Sequence, residues 1–200
     1  MSEADRLVAE LRQYVADDRV LDAIARVPRE AFVPADLREH AYDNTALGIG
    51  CGQTISQPLV VARMTELLDL RPEDRVLDVG TGSGYHAAIL SLLVRRVWSI
   101  ERHADLSRSA GDALERAGVR NVTLVVGDGS RGLPEQAPFD AINVAAAGEE
   151  IPSALEDQLA DGGRLVVPVQ DGDQRLFVVH RTSEGLKRTG LERVRFVPLV

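Results

Sequence analysis

From residue 75 onward, short uninterrupted apolar runs alternate with longer segments whose apolar residues recur every three or four positions. The runs are typical of strands buried on both faces, and the segments are typical of amphipathic helices. The pattern predicts strands at 75–79, 97–100, 122–126, 140–144 and 164–169, and helices at 84–93, 104–117 and 152–159. Because helices separate most of these strands, we expect right-handed crossovers and a parallel sheet covered on both faces.

The end of the chain has a different pattern. Residues 175–181 and 186–198 are strand-like, and only Thr182-Ser183-Glu184-Gly185 separates them. A link that short cannot form a parallel crossover, so the two strands should form an antiparallel hairpin at the end of the sheet. We therefore expect an α/β fold with a doubly wound, Rossmann-like sheet of seven strands, one of them reversed at the end.

The N-terminal part is predicted to form helices and a loop. Apolar spacing indicates two short helices within residues 3–26. Residues 43–57 are glycine-rich and largely uncharged, which is typical of a loop, and Pro58 fits the first position of the helix that follows. We expect one domain over the whole chain, in which residues 1–58 supply N-terminal helices and an active-site loop and residues 59–200 supply the α/β core.

A glycine-rich turn follows the first predicted strand. Residues 76–84 are Val-Leu-Asp-Val-Gly-Thr-Gly-Ser-Gly, and a helical segment comes next. Strand, glycine turn and helix in that order form the crevice at the carboxyl end of a parallel sheet where α/β proteins bind nucleoside cofactors. The spacing is G-x-G-x-G rather than the G-x-G-x-x-G of dinucleotide-binding proteins. It favours a cofactor without a pyrophosphate, with S-adenosylmethionine as the leading candidate. The alternative is a tight turn that binds nothing.

Three acidic residues lie at the ends of successive predicted strands. Asp78 comes just before the glycine turn, where a carboxylate could meet the ammonium of an amino-acid cofactor. Glu101 is placed to accept both ribose hydroxyls, and Asp128 is placed to accept from the adenine amino group. Each residue alone has a simpler explanation, namely an exposed carboxylate or a plain Asp-Gly turn. Their joint placement around one crevice favours a nucleoside cofactor.

The loop before the α/β core contains a second candidate site. Residues 50–58 are Gly-Cys-Gly-Gln-Thr-Ile-Ser-Gln-Pro, with two hydroxyls and two amides. Such a loop could close over a cofactor and present Ser56 to a substrate. The alternative is that Ser56 caps the helix beginning near Pro58, since serine is a favoured N-cap residue. From the residues alone, the cap is the preferred explanation.

Composition and charge limit the class of function. The 200 residues are 44% hydrophobic and 27% charged, as in an ordinary soluble domain, and the net charge of −8 argues against a nucleic-acid surface. Cys51 is the only cysteine and the four histidines are scattered, so we expect neither a disulfide nor a metal site. The sequence has no signal-peptide pattern and no apolar run of membrane-spanning length. We expect a cytoplasmic enzyme with no membrane or nucleic-acid partner.

Several segments together resemble the protein-L-isoaspartate (D-aspartate) O-methyltransferases, especially the bacterial members of that family. They are residues 52–58, 76–85, 127–129, 137–142 and 162–169. The similarity extends from Val27 to Leu199, and Thr54-Ile55-Ser56 is its most specific part. The implied fold is the seven-stranded class I methyltransferase sheet with N-terminal helices.

The resemblance implies S-adenosylmethionine as the cofactor and an isoaspartyl residue of an aged protein as the substrate, whose methyl ester collapses to a succinimide. It makes Ser56 the active-site hydroxyl beside the substrate carboxylate, in preference to a helix cap. It implies that the following residues bind the cofactor: Gln53, Thr54, Ile55, Ser56, Asp78, Gly80, Gly82, Ser83, Gly84, Glu101, Arg102, Asp128 and Gly129. Isoaspartyl proteins and peptides are the expected partners, and we expect the chain to be a monomer.

Two features depart from the family pattern. Glu149 and Glu150 follow the fourth strand of the core, where relatives are usually more apolar, which puts the peptide preference in doubt. The chain also stops at Val200, where relatives often continue with a short tail. Two other functions stay open: a carboxyl methyltransferase of the same fold that acts on a modified peptide natural product, and a cofactor-binding module without catalysis.

Overall fold

In the computed structural model, which describes residues 1–199, helices and strands alternate through most of the chain; Val200 lies outside the described part. The helices are α1 (Glu3–Leu11), α2 (Asp18–Arg26), α3 (Pro58–Leu67), α4 (Tyr85–Ser91), α5 (Ala104–Arg116) and α6 (Ser153–Asp157). The strands are β1 (Leu47–Gly50), β2 (Gln53–Ile55), β3 (Arg75–Val79), β4 (Arg96–Glu101), β5 (Val122–Val126), β6 (Phe139–Val144), β7 (Leu159–Asp171), β8 (Asp173–Thr182) and β9 (Gly185–Arg193).

Seven strands form one sheet in the order β5-β4-β3-β6-β7-β8-β9. The pairs from β5 to β7 are parallel, whereas β8 is antiparallel to both of its neighbours. The strand order reverses direction between β3 and its neighbours β4 and β6, which is the topological switch point where α/β proteins bind ligands. The predicted fold class, with its seven-stranded, doubly wound sheet, is confirmed.

The end of the sheet differs from the prediction in the place of the reversed strand and in the length of its strands, since the last strand ends at Arg193 and not at residue 198. The predicted hairpin is present as β8–β9, and one strand is reversed. That strand is β8, however, and it is not the last one, because β9 turns back to run with the parallel strands. Strand β7 is also longer than predicted and joins β8 through a tight turn at Gly172. Beyond β9, the chain returns to the sheet edge, where the Leu199 amide donates to the Ala147 carbonyl.

The N-terminal part packs two helices and a small hairpin against the core. Helices α1 and α2 are present as predicted, and the Asp17 side chain caps α2 by accepting from the Arg19 amide. The predicted loop at 43–57 is partly wrong, because β1 and β2 pair within it as a separate two-stranded antiparallel sheet. Glycines in this segment hid the strand pattern, since they carry no hydrophobic signal.

Alternate residues of the central strands face two different cores. Leu77 and Val79 pack toward the side of the sheet covered by α6, while Val76 packs toward α3 and α4. A further core joins α1, α2 and α3 to α4 and α5. Asp78 shares the face of Val76, so its side chain points under α4, a position that matters for the site below. Within the described residues, no helix is both long and apolar enough to cross a lipid bilayer.

Candidate functional site

A cleft lies at the carboxyl edge of the parallel strands, at the switch point of the sheet. Its walls come from the glycine turn after β3, the end of β4, the turn after β5 and the chain after β6. Residues 53–56 close it on the N-terminal side. The space between the walls, measured out to where the cleft opens to solvent, is about 820 Å³.

The glycine turn is the floor of this cleft. Gly80 and Gly82 both have positive φ, 92° and 53°, which side chains other than glycine rarely adopt without strain. The hairpin β1–β2 lies over the turn so closely that a Cβ added at Gly82 would be 3.4 Å from Ile49 Cδ1. Glycine therefore serves both the backbone conformation and the close approach of the hairpin.

Glu101 ends β4 with its carboxylate on the wall of the cleft. The side chain is only 5% exposed and accepts from the Gly82 amide at 2.9 Å and the His103 amide at 3.0 Å. An ionised carboxylate has about four lone-pair sites, so two backbone donors leave acceptor capacity toward the cleft. The predicted acceptor for ribose hydroxyls is thus in place beside the glycine turn.

Asp78 lies beneath the cleft. Its carboxylate is 0% exposed and accepts from the Ser99 hydroxyl at 2.7 Å and the Asn143 amide at 2.7 Å. Both partners sit directly opposite Asp78 on the neighbouring strands, so the three form a polar row across the sheet. Burial raises the pKa of Asp78 to about 6, against the two hydrogen bonds, which lower it. In this arrangement the carboxylate does not reach the cleft, so it makes no direct contact with a ligand there.

The polar row continues to His86 in α4. The His86 Nδ1 is 3.1 Å from the Asn143 amide nitrogen, and Nε2 is 3.0 Å from the Thr65 hydroxyl. Burial lowers the pKa of His86 to about 3, so the ring is neutral at physiological pH. An amide that donates to Nδ1 requires the tautomer with its proton on Nε2. The Asn143 Oδ1 atom is buried and has no partner among the described residues.

Asp128 and Gly129 follow β5 and occupy different positions relative to the cleft. Asp128 is exposed and caps a short 3₁₀ turn, accepting from the Ser130 amide at 3.0 Å and hydroxyl at 2.6 Å. Those hydrogen bonds hold the pKa of Asp128 below its usual range. Gly129 is on the cleft wall, where a Cβ would lie 2.5 Å from Val79 Cγ1. Only glycine lets the backbone come this close to β3.

Ser56 stands between the cleft and a second groove. The N-cap of α3 is Gln57, with no side-chain cap bond, so the explanation of Ser56 as a helix cap is wrong. Its carbonyl accepts from Arg29 Nη2 at 2.8 Å, and its hydroxyl makes no hydrogen bond to another described residue. The second groove shares Ser56 and Thr54 with the cleft, and Arg193 and Arg195 are on its far side. A ligand in either space could therefore meet the Ser56 hydroxyl.

The donor set of the cleft fits S-adenosylmethionine. Glu101 offers carboxylate oxygens suited to ribose hydroxyls, and Ile100 and Gly129 offer an apolar, narrow wall suited to a flat base. The glycine turn leaves room for the backbone to approach a ligand closely. No group of His, Cys, Asp or Glu side chains among those that the structure describes is arranged to hold a metal ion.

Comparison with known sequences decides the family. The sequence model of the Protein-L-isoaspartate(D-aspartate) O-methyltransferase family matches residues 2–200. The chain belongs to this family.

Individual members of the family match over most of the chain. A protein-L-isoaspartate O-methyltransferase of Parvibaculum lavamentivorans is 53% identical over 193 residues, which are 94% of this chain and 87% of the relative. A crystal structure from Plasmodium falciparum is described as a protein-L-isoaspartate O-methyltransferase in complex with S-adenosyl-L-homocysteine. It is 27% identical with a TM-score of 0.88, and the match covers 100% of this chain and 99% of the Plasmodium chain. A second solved protein-L-isoaspartate O-methyltransferase is 30% identical with a TM-score of 0.89; it covers 98% of this chain, which spans 65% of its length.

Most of the residues predicted to bind the cofactor lie together on the cleft wall. They are Gln53, Thr54, Ile55, Ser56, Gly80, Gly82, Ser83, Glu101, Arg102 and Gly129. Three others do not line it: Asp78 is buried below, Asp128 faces solvent, and Gly84 packs against Ala110 of α5.

Several wall residues were not predicted from the sequence. They are Val61, Val79, Thr81, Tyr85, His86, Ile100, His103, Ala145, Ala146, Val197, Pro198 and Leu199. Ala145 and Ala146 follow β6 directly, so the strand-end rule that selected Glu101 would also have selected them. Val197–Leu199 reach the cleft through the pairing of the C-terminal segment with residue 147 and through its hydrogen bonds to Gln174, for which the local sequence carries no signal.

Proposed function

We propose that the chain transfers the methyl group of S-adenosylmethionine to the free carboxylate of isoaspartyl residues in damaged proteins, the first step of their repair. One observation carries the proposal. Ser56, whose hydroxyl has no partner among the described residues, lines both the cleft and the neighbouring groove. A family match over residues 2–200 supports the substrate class.

In this proposal the cofactor is held from four sides. Glu101 takes the ribose hydroxyls, Gly129 and Ile100 flank the base, and the glycine turn accommodates the amino-acid part. When bound, S-adenosylmethionine supplies an electrophilic methyl group on a sulfonium centre. Asp78 is 0% exposed beneath the glycine turn. It supports the strands that carry the turn and makes no direct contact with the cofactor. Asp128 acts from the rim, where its exposed carboxylate can turn toward the adenine amino group.

The protein needs no general base for this reaction. The substrate carboxylate has a pKa near ~4 and is ionised at neutral pH. This agrees with His86, whose ring is neutral and engaged by Thr65 and Asn143. Ser56 donates a hydrogen bond to the carboxylate and orients one oxygen toward the methyl group. Orientation of this kind lowers barriers by up to ~7–11 kcal/mol in favourable cases. The hairpin β1–β2 keeps water from the reacting atoms.

The groove next to Ser56 is the proposed path of the substrate chain. It runs from Thr45 and Gln57 to the C-terminal segment 193–197, so a chain lying in it would pass Ser56. Its arginines favour peptides with acidic residues near the isoaspartate. We further propose that the chain acts as a monomer in the cytoplasm and without a nucleic-acid partner, which its net charge of −8 does not favour.

The test is methyl transfer from radiolabelled S-adenosylmethionine to two matched peptides, one with isoaspartate and one with aspartate at the same position. We expect base-labile methyl incorporation into the isoaspartyl peptide alone. Equal labelling of both peptides would contradict the proposed substrate. Cofactor binding without transfer to either peptide would favour a non-catalytic binding module.

A further inference from the structure

Arg29 is a buried cation outside the cleft. Its side chain is 0% exposed, forms no salt bridge with any described residue, and has its Nη1 buried without a hydrogen-bond partner among those residues. Its Nε donates to the Ala41 carbonyl at 2.8 Å, and Nη2 donates to the carbonyls of Ser56 at 2.8 Å and Thr45 at 3.4 Å. The guanidinium carbon lies 4.6 Å from the centre of the Tyr85 ring. An unpaired buried charge is costly, so these partners must compensate for lost hydration.

The three carbonyls mark the two ends of one segment. Ala41 and Thr45 precede the hairpin β1–β2, and Ser56 follows it. The hairpin in between covers the glycine turn, and its last residues form the wall of the cleft. Tyr85, which carries the guanidinium on its ring face, is the first residue after that turn. Arg29 therefore joins both ends of the 41–56 segment to the start of α4.

We propose that Arg29 is a positioning residue for methyl transfer, which fixes Ser56 by holding its carbonyl. The inference rests on the proposed function, because it gives Arg29 its role through the Ser56 hydroxyl. Ser56 lies between the end of β2 and the N-cap of α3, so its carbonyl takes part in neither the strand pairing of β2 nor the helical hydrogen bonds of α3. Without Arg29, nothing in the described chain would hold that carbonyl, and the hydroxyl would lose its fixed direction.

The geometry requires arginine in particular. A guanidinium presents its donors in a flat fork, so one group reaches carbonyls on both sides of the segment while its face stays on an aromatic ring. A lysine ammonium keeps the charge but has a single compact centre. Arg29→Lys should therefore retain the cation and lose the bridge between the two ends of the segment.

The test is a double-mutant cycle with Arg29→Lys and Ser56→Ala, measured as kcat with the isoaspartyl peptide. We expect Arg29→Lys to lower kcat by about tenfold or more, because misplacement by about 1 Å can cost that much. The Kd for S-adenosylhomocysteine should change by less than kcat does, since residues 53–56 line the cleft but Glu101, Gly129 and the glycine turn lie outside the segment. In the Ser56→Ala background the same change should lower kcat by less than about threefold. Equal losses in both backgrounds, or a Ser56→Ala variant as active as the wild type, would overturn the proposal.

Arg164→Lys is the matched control. Arg164 is also buried and also holds backbone carbonyls, those of Leu68, Asp69 and Asp140, but unlike Arg29 it also pairs with Asp74 at 2.7 Å, and it lies away from the cleft. We expect it to lower the urea midpoint without changing kcat. Amide hydrogen exchange supplies a readout that does not need activity: exchange over residues 41–57 should rise in Arg29→Lys and not in Arg164→Lys.

The activity measurements and the hydrogen-exchange measurement separate the proposed function from the positioning role of Arg29. A wild-type chain that does not methylate the isoaspartyl peptide contradicts the proposed function, and hydrogen exchange then still decides whether Arg29 holds the segment. Unchanged exchange in Arg29→Lys refutes the positioning role even where activity is present. Should Arg29→Lys not fold, Arg29→Gln takes its place, since it retains an amide donor and removes the buried charge.

Discussion

Asp78 and His86 should impose opposite pH dependences on the free energy of unfolding. Burial raises the pKa of Asp78 from 3.8 to about 6 and lowers the pKa of His86 from 6.5 to about 3. Between about pH 4 and pH 6 the folded chain holds a proton on Asp78 that the unfolded chain has lost, so stability from this group falls as the pH rises. In the same range the unfolded chain holds a proton on the histidine that the folded chain lacks, so stability from His86 rises with pH.

The magnitudes follow from the two shifts. Each group changes stability by ~1.4 kcal/mol per pH unit while it is protonated in only one of the two states. Asp78, shifted by about two units, lowers stability by ~3 kcal/mol in total by pH 7. His86 raises it at the same rate up to about pH 6.5, so the two slopes nearly cancel between about pH 4 and pH 6. The free energy of unfolding of the wild-type chain therefore shows neither slope in this pH range.

Asp78→Asn should expose the hidden slope. We expect the free energy of unfolding of the wild type minus that of Asp78→Asn to fall by ~1.4 kcal/mol per pH unit from about pH 4 to pH 6, and to level off above. The assay is urea unfolding followed by far-UV circular dichroism at pH 4, 5, 6 and 7. His86→Gln is the companion variant, and its difference from the wild type should rise at the same rate.

Constant offsets between variants do not affect this test, because only the pH-dependent part of each difference is used. A difference between wild type and Asp78→Asn that stays the same from pH 4 to pH 7 would show that Asp78 is ionised throughout. Burial in the polar row would then not raise the pKa of Asp78, whatever the variant does to activity.

Three further substitutions test the cleft. Ser56→Ala should lower kcat with isoaspartyl peptide by about tenfold or more and leave the cofactor Kd within severalfold, because it removes one positioned hydrogen bond. Steady-state kinetics measure both, and an unchanged kcat rejects the role of Ser56. Asp128→Ala should weaken cofactor binding by about tenfold in calorimetry, as expected for a hydrogen bond to a charged group, and an unaltered Kd rejects the adenine assignment. Gly129→Ala places a Cβ 2.5 Å from a β3 side chain and should lower the free energy of unfolding by ~1–3 kcal/mol. Gly111→Ala in α5 is the control and should not destabilise, because its Cβ would meet only Leu124 of β5 at an ordinary 3.5 Å.

Local sequence predicted the parts of the site that depend on chain order. The strands, the glycine turn and Glu101 follow from the alternation of apolar runs and from the rule that ligands bind at the carboxyl ends of parallel strands. Their positions along the chain already determine which edge of the sheet they occupy. Asp78 is at the same edge, but its exposure depends on which face of the strand it occupies and on what lies opposite.

The burial of Asp78 follows from register, which the sequence does not state. Ser99 and Asn143 lie opposite Asp78 on the two neighbouring strands. A shift of one residue in either pairing would turn its partner to the other face. In the same way, the contribution of Val197–Leu199 to the cleft depends on a pairing between segments about fifty residues apart. Thr54-Ile55-Ser56 was recognised only by family resemblance, since its spacing alone favoured a helix cap.

The two buried polar assemblies meet at the first turn of α4. Tyr85 carries the guanidinium of Arg29 on its ring face, and the next residue, His86, takes the amide of Asn143 from the polar row. Two consecutive side chains thus bind the start of α4 to the N-terminal segment on one side and to the sheet on the other. The glycine turn just before them gains a fixed end, although glycine itself imposes little restriction on the backbone. The glycine turn becomes a preorganised floor because its neighbours make the rigid contacts. The buried guanidinium and the buried imidazole therefore have a structural role beside a reaction that needs neither as an acid or a base.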